Sequence, residues 1–162
     1  MRMFRFLFAL LMLAPLASKA THLIGGDIQY KYVGDSTGVP NQYRIKLVIY
    51  REASGAPLLP TQPVTVASAS CGSTQNITCN LAVPEFSAAL YGAYDCIPQS
   101  SAVFTPMVNI YVGYVILNQQ CPDYKFSWTL CCRPGGITGI TGSAGVGFYF
   151  EAELNNTLGY NS

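Results

Sequence analysis

Short runs of alternating bulky and polar residues, each closed by Gly, Pro, Asn or Ser, recur along this chain. That pattern constrains its fold more than any other feature. No stretch of a dozen residues keeps apolar side chains at i, i+3, i+4 and i+7 without meeting a Gly or a Pro. Eleven tyrosines and eight phenylalanines fill many of the bulky positions, and such residues suit a pleated, half-buried surface. The pattern predicts an all-β chain: an immunoglobulin-like β-sandwich of about seven to eight strands, with disulfides.

The runs can be placed individually. Residues 27–33 put Ile28, Tyr30 and Tyr32 on one face and Asp27, Gln29 and Lys31 on the other. Tyr43, Ile45, Leu47 and Ile49 alternate through 42–51, and the short turn-rich loop between these runs predicts an antiparallel hairpin. Val64 and Val66 face together in a short strand over 63–68. Residues 76–83 read as a strand broken by polar residues, 84–90 as a helical turn and 91–105 as irregular, so 71–96 has little regular structure of its own. Over 108–117, Val108, Ile110, Val112, Tyr114 and Ile116 share one face. The run 124–132 holds the only tryptophan, Trp128, and is similar to it in length, so the two are expected to pair as a hairpin around 118–123. The last strand spans 147–154, with Phe148, Phe150 and Ala152 opposite Tyr149, Glu151 and Glu153.

The first 20 residues read as a signal peptide. Arg2 and Arg5 precede an apolar run from Phe6 to Leu16, and Ser18-Lys19-Ala20 places small residues where a signal peptidase cuts, after Ala20. A run of 11 residues is too short to span a bilayer, which needs roughly 20. The expectation is a chain secreted or held at the outer cell surface, with no membrane span once cleaved. Cleavage removes three of the nine basic residues and leaves six against eight acidic ones, a formal charge of −2. A mildly acidic surface argues against nucleic acid as a partner. Residues 21–156 form one β-sandwich domain in this reading, and 157–162 the start of a linker or a truncated C-terminus.

All six cysteines follow the leader: Cys71, Cys79, Cys96, Cys121, Cys131 and Cys132. An even number in an exported chain favours disulfides over metal. Cys121 sits in the expected turn, whereas Cys131 and Cys132 end the strand after it, roughly 25 Å away at about 3.3 Å per residue. A disulfide needs Cα atoms within about 7 Å, so Cys121 is not expected to bridge to either. If all six are oxidised, Cys121, Cys131 and Cys132 each take one of Cys71, Cys79 and Cys96. Six pairings remain, and a local Cys71–Cys79 bridge is disfavoured.

Nothing assembles a catalytic set. The single histidine, His22, lies beside the new N-terminus, and fully paired cysteines leave no thiolate for nucleophilic catalysis. Glu151 and Glu153 share a strand face about 7 Å apart, on what reads as the solvent side. No Asp-x-Asp-x-Asp loop suggests calcium. No cofactor and no metal site is expected, and the chain reads as non-enzymatic. Tyr30, Tyr32, Tyr43 and Tyr50 in the first hairpin are candidates for stacking on sugars.

Several motifs resemble one family. Thr21-His-Leu-Ile-Gly-Gly-Asp-Ile-Gln-Tyr30 is similar to the start of large exported surface proteins of gliding Gram-negative bacteria. Tyr43-Arg-Ile-Lys-Leu-Val-Ile-Tyr-Arg51 resembles their following strand. Phe126-Ser-Trp-Thr-Leu-Cys-Cys-Arg133 with Ile137-Thr-Gly-Ile140, and Phe148-Tyr-Phe-Glu-Ala-Glu-Leu-Asn-Asn156, resemble two later motifs in the same order. Two departures stand out: Glu52-Ala53 where the family commonly has Asp-Cys, and Pro134 where it has Asn. The resemblance implies an N-terminal β-sandwich module of an adhesin-type or gliding-associated surface protein that continues into further domains. Surface glycans or other surface proteins are the partners it implies. A carbohydrate-binding module using exposed tyrosines is the alternative reading.

Overall fold

The structure, a computed structural model, describes residues 23–87, 106–131, 133 and 137–158. Eight strands run through them: β1 (Leu23–Tyr32), β2 (Gln42–Glu52), β3 (Thr61–Ser68), β4 (Ser73–Leu81), β5 (Phe86–Ser87), β6 (Pro106–Ile116), β7 (Tyr124–Leu130) and β8 (Phe148–Leu154). One helical turn, Gly34–Thr37, sits between β1 and β2, and one 3-10 turn, Ser143–Gly145, precedes β8.

Every pairing is antiparallel. The hydrogen-bonded path runs β1-β2-β6-β4-β3-β7-β8, with β5 on β6. It folds over where β4 meets β6, through only Asn80↔Val112 and Leu81↔Tyr111. That corner divides the path into two packed layers, β1-β2-β6 with β5 and β4-β3-β7-β8. In immunoglobulin lettering these are A-B-E-D and C′-C-F-G. The expected all-β, immunoglobulin-like fold is therefore present.

Alternation explains the core. Tyr43, Ile45, Leu47 and Ile49 of β2 face Val64 and Val66 of β3 and Phe126 and Trp128 of β7, all fully buried. Burying each such side chain stabilises the fold by roughly 1.5–3 kcal/mol. Trp128 stacks on Phe150 with ring centroids 5.4 Å apart. Its indole N–H donates to Gln62 Oε1 at 3.2 Å, so the one polar atom of this side chain is satisfied. Tyr124, at the start of β7, donates its hydroxyl to the Gln119 carbonyl at 3.4 Å. This is the tyrosine corner of immunoglobulin-like domains, between strands E and F.

The layers also meet on the side away from the corner. Tyr30 of β1 packs its ring on Phe126, 5.3 Å between centroids, and donates to the Glu153 carbonyl at 2.9 Å. The crossing explains one glycine. A Cβ on Gly26 would overlap the Phe150 ring and lie 2.6 Å from the Val48 carbonyl oxygen. Its neighbour Gly25 has open space at the same position.

Three expectations are corrected. The runs 108–117 and 124–132 do not form a hairpin: β6 pairs with β2, β4 and β5, whereas β7 pairs with β3 and β8. The connection between them crosses from one layer to the other, with Leu117 and Cys121 buried on the way. The inward face of β6 is the one opposite Ile110, Val112, Tyr114 and Ile116. Asn109, Tyr111 and Val115 are buried toward the core, while Tyr114 and Ile116 are exposed. Residues 73–81 make a full strand despite their polarity, because β3 supplies an unbroken ladder from Thr61↔Asn80 to Ser68↔Ser73. Finally, Phe86–Ser87 are strand rather than helical turn, and 88–105 lie outside the described residues.

Candidate functional site

The strand directions define two poles. β1 starts and β2 ends at the entry pole, where Leu23 pairs with Arg51. β8 ends at the opposite, exit pole, where Leu154 pairs with Tyr124 and Tyr124 with Ser68.

At the exit pole three segments are tied together. Cys71, in the β3–β4 turn, is bonded to Cys121 in the β6–β7 connection, with Cα atoms 6.1 Å apart. The Cys121 N–H donates to Asn156 Oδ1 at 2.5 Å, and the Asn156 amide donates to the Gln119 carbonyl at 2.8 Å. The Asn156 N–H in turn donates to the Cys121 carbonyl at 3.1 Å. Asn156 is buried and fixes the chain just beyond β8. Asp123 adds a further clasp on the β3–β4 turn. It accepts from the hydroxyls of Ser68 and Ser70, both at 2.5 Å, and from the Ser70 N–H at 2.9 Å. These hydrogen bonds hold its carboxyl well below the ordinary value, at about 2.

At the entry pole the corresponding element is an ion pair. Arg51 continues the inward face of β2 and is 5% exposed, a position that would otherwise take an apolar side chain. Its Nε and Nη2 donate to the two oxygens of Glu85, each at 2.5 Å. Nη1 donates to the carbonyls of Glu52 and Gly55, at 2.9 and 3.0 Å. Buried Asn109 donates to Glu85 Oε1 at 2.6 Å. Burial pushes the Glu85 carboxyl up, but these hydrogen bonds and the guanidinium charge outweigh it, and the group sits below its ordinary value. The Arg51 that matched the family motif is thus a structural plug.

The cysteines divide unequally. Cys121 joins Cys71, one of the partners left open by the distance argument, and the local Cys71–Cys79 bridge is not made. Cys131 is disulfide-bonded. Cys79 departs from the expectation of full pairing: it is a free, buried thiol. It lies under the corner, where a Cβ on Gly113 would come within 2.7 Å of its sulfur. Burial pushes the thiol up to about 11, so it stays protonated and unreactive at neutral pH. Cys96 and Cys132 lie outside the described residues.

The remaining candidates do not converge. His22 lies outside the described residues. Glu151 and Glu153 lie on the solvent face, and both contact Lys125 Nζ at 2.9 Å. Their hydrogen bonds raise the Lys125 ammonium above its ordinary value. Among the described residues no cluster of three His, Cys, Asp or Glu could hold a metal, and no helix is long and apolar enough to cross a membrane. The hairpin tyrosines do not form one surface. Tyr43 is fully buried, Tyr32 packs edge-on against it, Tyr30 spans the two layers, and Tyr50 lies on the outer face. Arg133 sits over the Phe148 ring, 4.4 Å from its centroid, so this residue of the Phe126–Arg133 motif also packs rather than presents a charge.

These observations define a disulfide-bonded, immunoglobulin-like β-sandwich. No family model, curated protein or solved structure matches the chain.

Proposed function

We propose that the chain is a non-enzymatic, adhesin-type structural module of the outer cell surface or secreted space, the N-terminal part of a gliding- or attachment-associated protein. One observation carries this reading: the sandwich begins at one pole and ends at the other, and the exit is locked to a disulfide by Asn156. β1 and β8 run in the same direction. Tension applied between the chain ends pulls them lengthwise in opposite senses, so their ladders to β2 and β7 are loaded in shear, all bonds at once. A domain in a surface-attached chain meets such a load. The fully engaged carboxylates at both poles and the buried, protonated Cys79 fit a part without chemistry of its own. The motif resemblance points the same way.

Attachment under flow tests the reading. Cells lacking the gene should detach at lower wall shear than cells carrying it, and antibody against the folded domain should label intact cells. Equal detachment, or labelling only after lysis, would overturn it.

A further inference from the structure

The two outer faces differ in kind. That of the β1-β2-β6 layer carries Asp27, Lys31, Arg44 and Lys46 beside Val48 and Ile110. That of the β4-β3-β7-β8 layer is neutral over most of its area. The outward residues of β4 are Thr74, Asn76, Thr78 and Asn80, and those of β3 are Thr61, Pro63, Thr65 and Ala67. β7 adds Ser127 and Thr129. One register row, Asn76–Thr65–Ser127–Glu151, crosses all four strands.

The charges of this face lie at one margin and engage one another, Lys125 with Glu151 and Glu153. Beside them Tyr149 is 58% exposed. Its hydroxyl donates to Glu151, which fixes the ring as a platform next to Thr129, its register partner. Neighbouring strands are about 4.8 Å apart and alternate residues on one face about 6.7 Å. Hydroxyl and amide groups therefore stand in a regular two-dimensional array, with no formal charge over β3 and β4.

We infer that this face binds an uncharged polysaccharide. Resting on the adhesin reading, the inference names the class of ligand. A neutral polymer of sugar rings presents alternating donors and acceptors that match hydroxyl and amide groups. Its C–H faces stack on an exposed aromatic ring, and it suffers no charge mismatch with a neutral field. A nucleic acid or an acidic polymer would instead need a basic surface. No charged residue occurs from Ala69 to Val83, so the neutral field extends along the whole of β4 and its turn.

The test uses the folded chain with microcrystalline cellulose, chitin and a soluble mixed-linkage glucan as neutral probes, and alginate as an acidic one. Binding to at least one neutral probe is expected. A Thr65→Val/Thr78→Val/Thr129→Val variant keeps the β-branched shape and deletes three hydroxyls. It should lose binding at least tenfold with an unchanged melting temperature, as should Tyr149→Ala. Lys46→Glu, on the other outer face, should bind like the parent. No binding to any neutral probe, binding to alginate alone, or equal loss in Lys46→Glu overturns the inference. A chain that anchors cells under flow yet binds none of these polymers would overturn it while leaving the structural reading in place.

Discussion

The two poles of the sandwich solve the same problem with different chemistry. At each pole, segments from both layers must be held where the ladders end. The exit pole uses a disulfide, small hydroxyls and one buried amide. The entry pole uses a buried guanidinium clamped by a carboxylate. A covalent tie acts mainly by limiting the unfolded chain and is indifferent to pH and salt. A buried ion pair offsets a large desolvation cost only while both partners are present and charged. The exit pole should therefore keep its disulfide in acid, and the entry pole its ion pair on reduction.

Removing the covalent tie should have the largest effect. Cys71 and Cys121 are 50 residues apart, and closing a loop of that length is worth up to about 4 kcal/mol on the chain-entropy estimate. A Cys71→Ala/Cys121→Ala variant should show that loss in chemical denaturation, and a loss below about 1 kcal/mol would remove the contrast between the poles. Breaking the ion pair comes next. Glu85→Ala leaves the Arg51 guanidinium buried and without its counter-charge, which should cost about 3 kcal/mol. Arg51→Met is expected to do less harm than Glu85→Ala, since it leaves no unpaired buried cation.

Asn156→Ala should cost about 2 kcal/mol by stranding the buried Cys121 N–H. In single-molecule pulling it should lower the unfolding force more than an equally destabilising change at the entry pole. The smallest effect concerns pH. The Asp123 carboxyl is depressed in the folded state, so its contribution is present above its ordinary value of 3.8 and is lost as pH falls toward about 2. Melting curves of Asp123→Asn should be flatter over that window than those of the parent. The contribution of Glu85, lost as pH falls below its ordinary 4.5, should remain. Thiol mapping checks the cysteine assignment: alkylation of the unfolded, unreduced chain should label Cys79 and leave Cys71, Cys121 and Cys131 unmodified.

The strands were readable because alternation is a local property. Tyr43, Ile45, Leu47 and Ile49 face the core as their spacing requires, and so do Val64 and Val66. Partner choice is not local. β6 has bulky residues on both faces, so period alone could not tell which face was inward. The deciding residues, Asn109 and Gly113, look unlike core. Asn109 is buried because Glu85 satisfies it, and Gly113 because Cys79 packs against its backbone. β4 was obscured by its neutral polar face, since only Cys79 of that strand is fully buried. The distance argument for Cys121 came through an incorrect hairpin because it needed only an extended β7, and β7 is extended. Arg51 stood out in the sequence only as the last residue of a motif. Its place on the inward side of the alternation was the available signal.

The corner at Asn80 and Leu81 has a kinetic consequence. There β4 bonds to β3 of its own layer and to β6 of the other, so the layers cannot part on that side without breaking backbone hydrogen bonds. Loss of β4 or β6 from either layer breaks the bonds at this corner as well. Amides of β3, β4 and β6 should then exchange with solvent through a common opening event, and their protection should rise and fall together as denaturant is added.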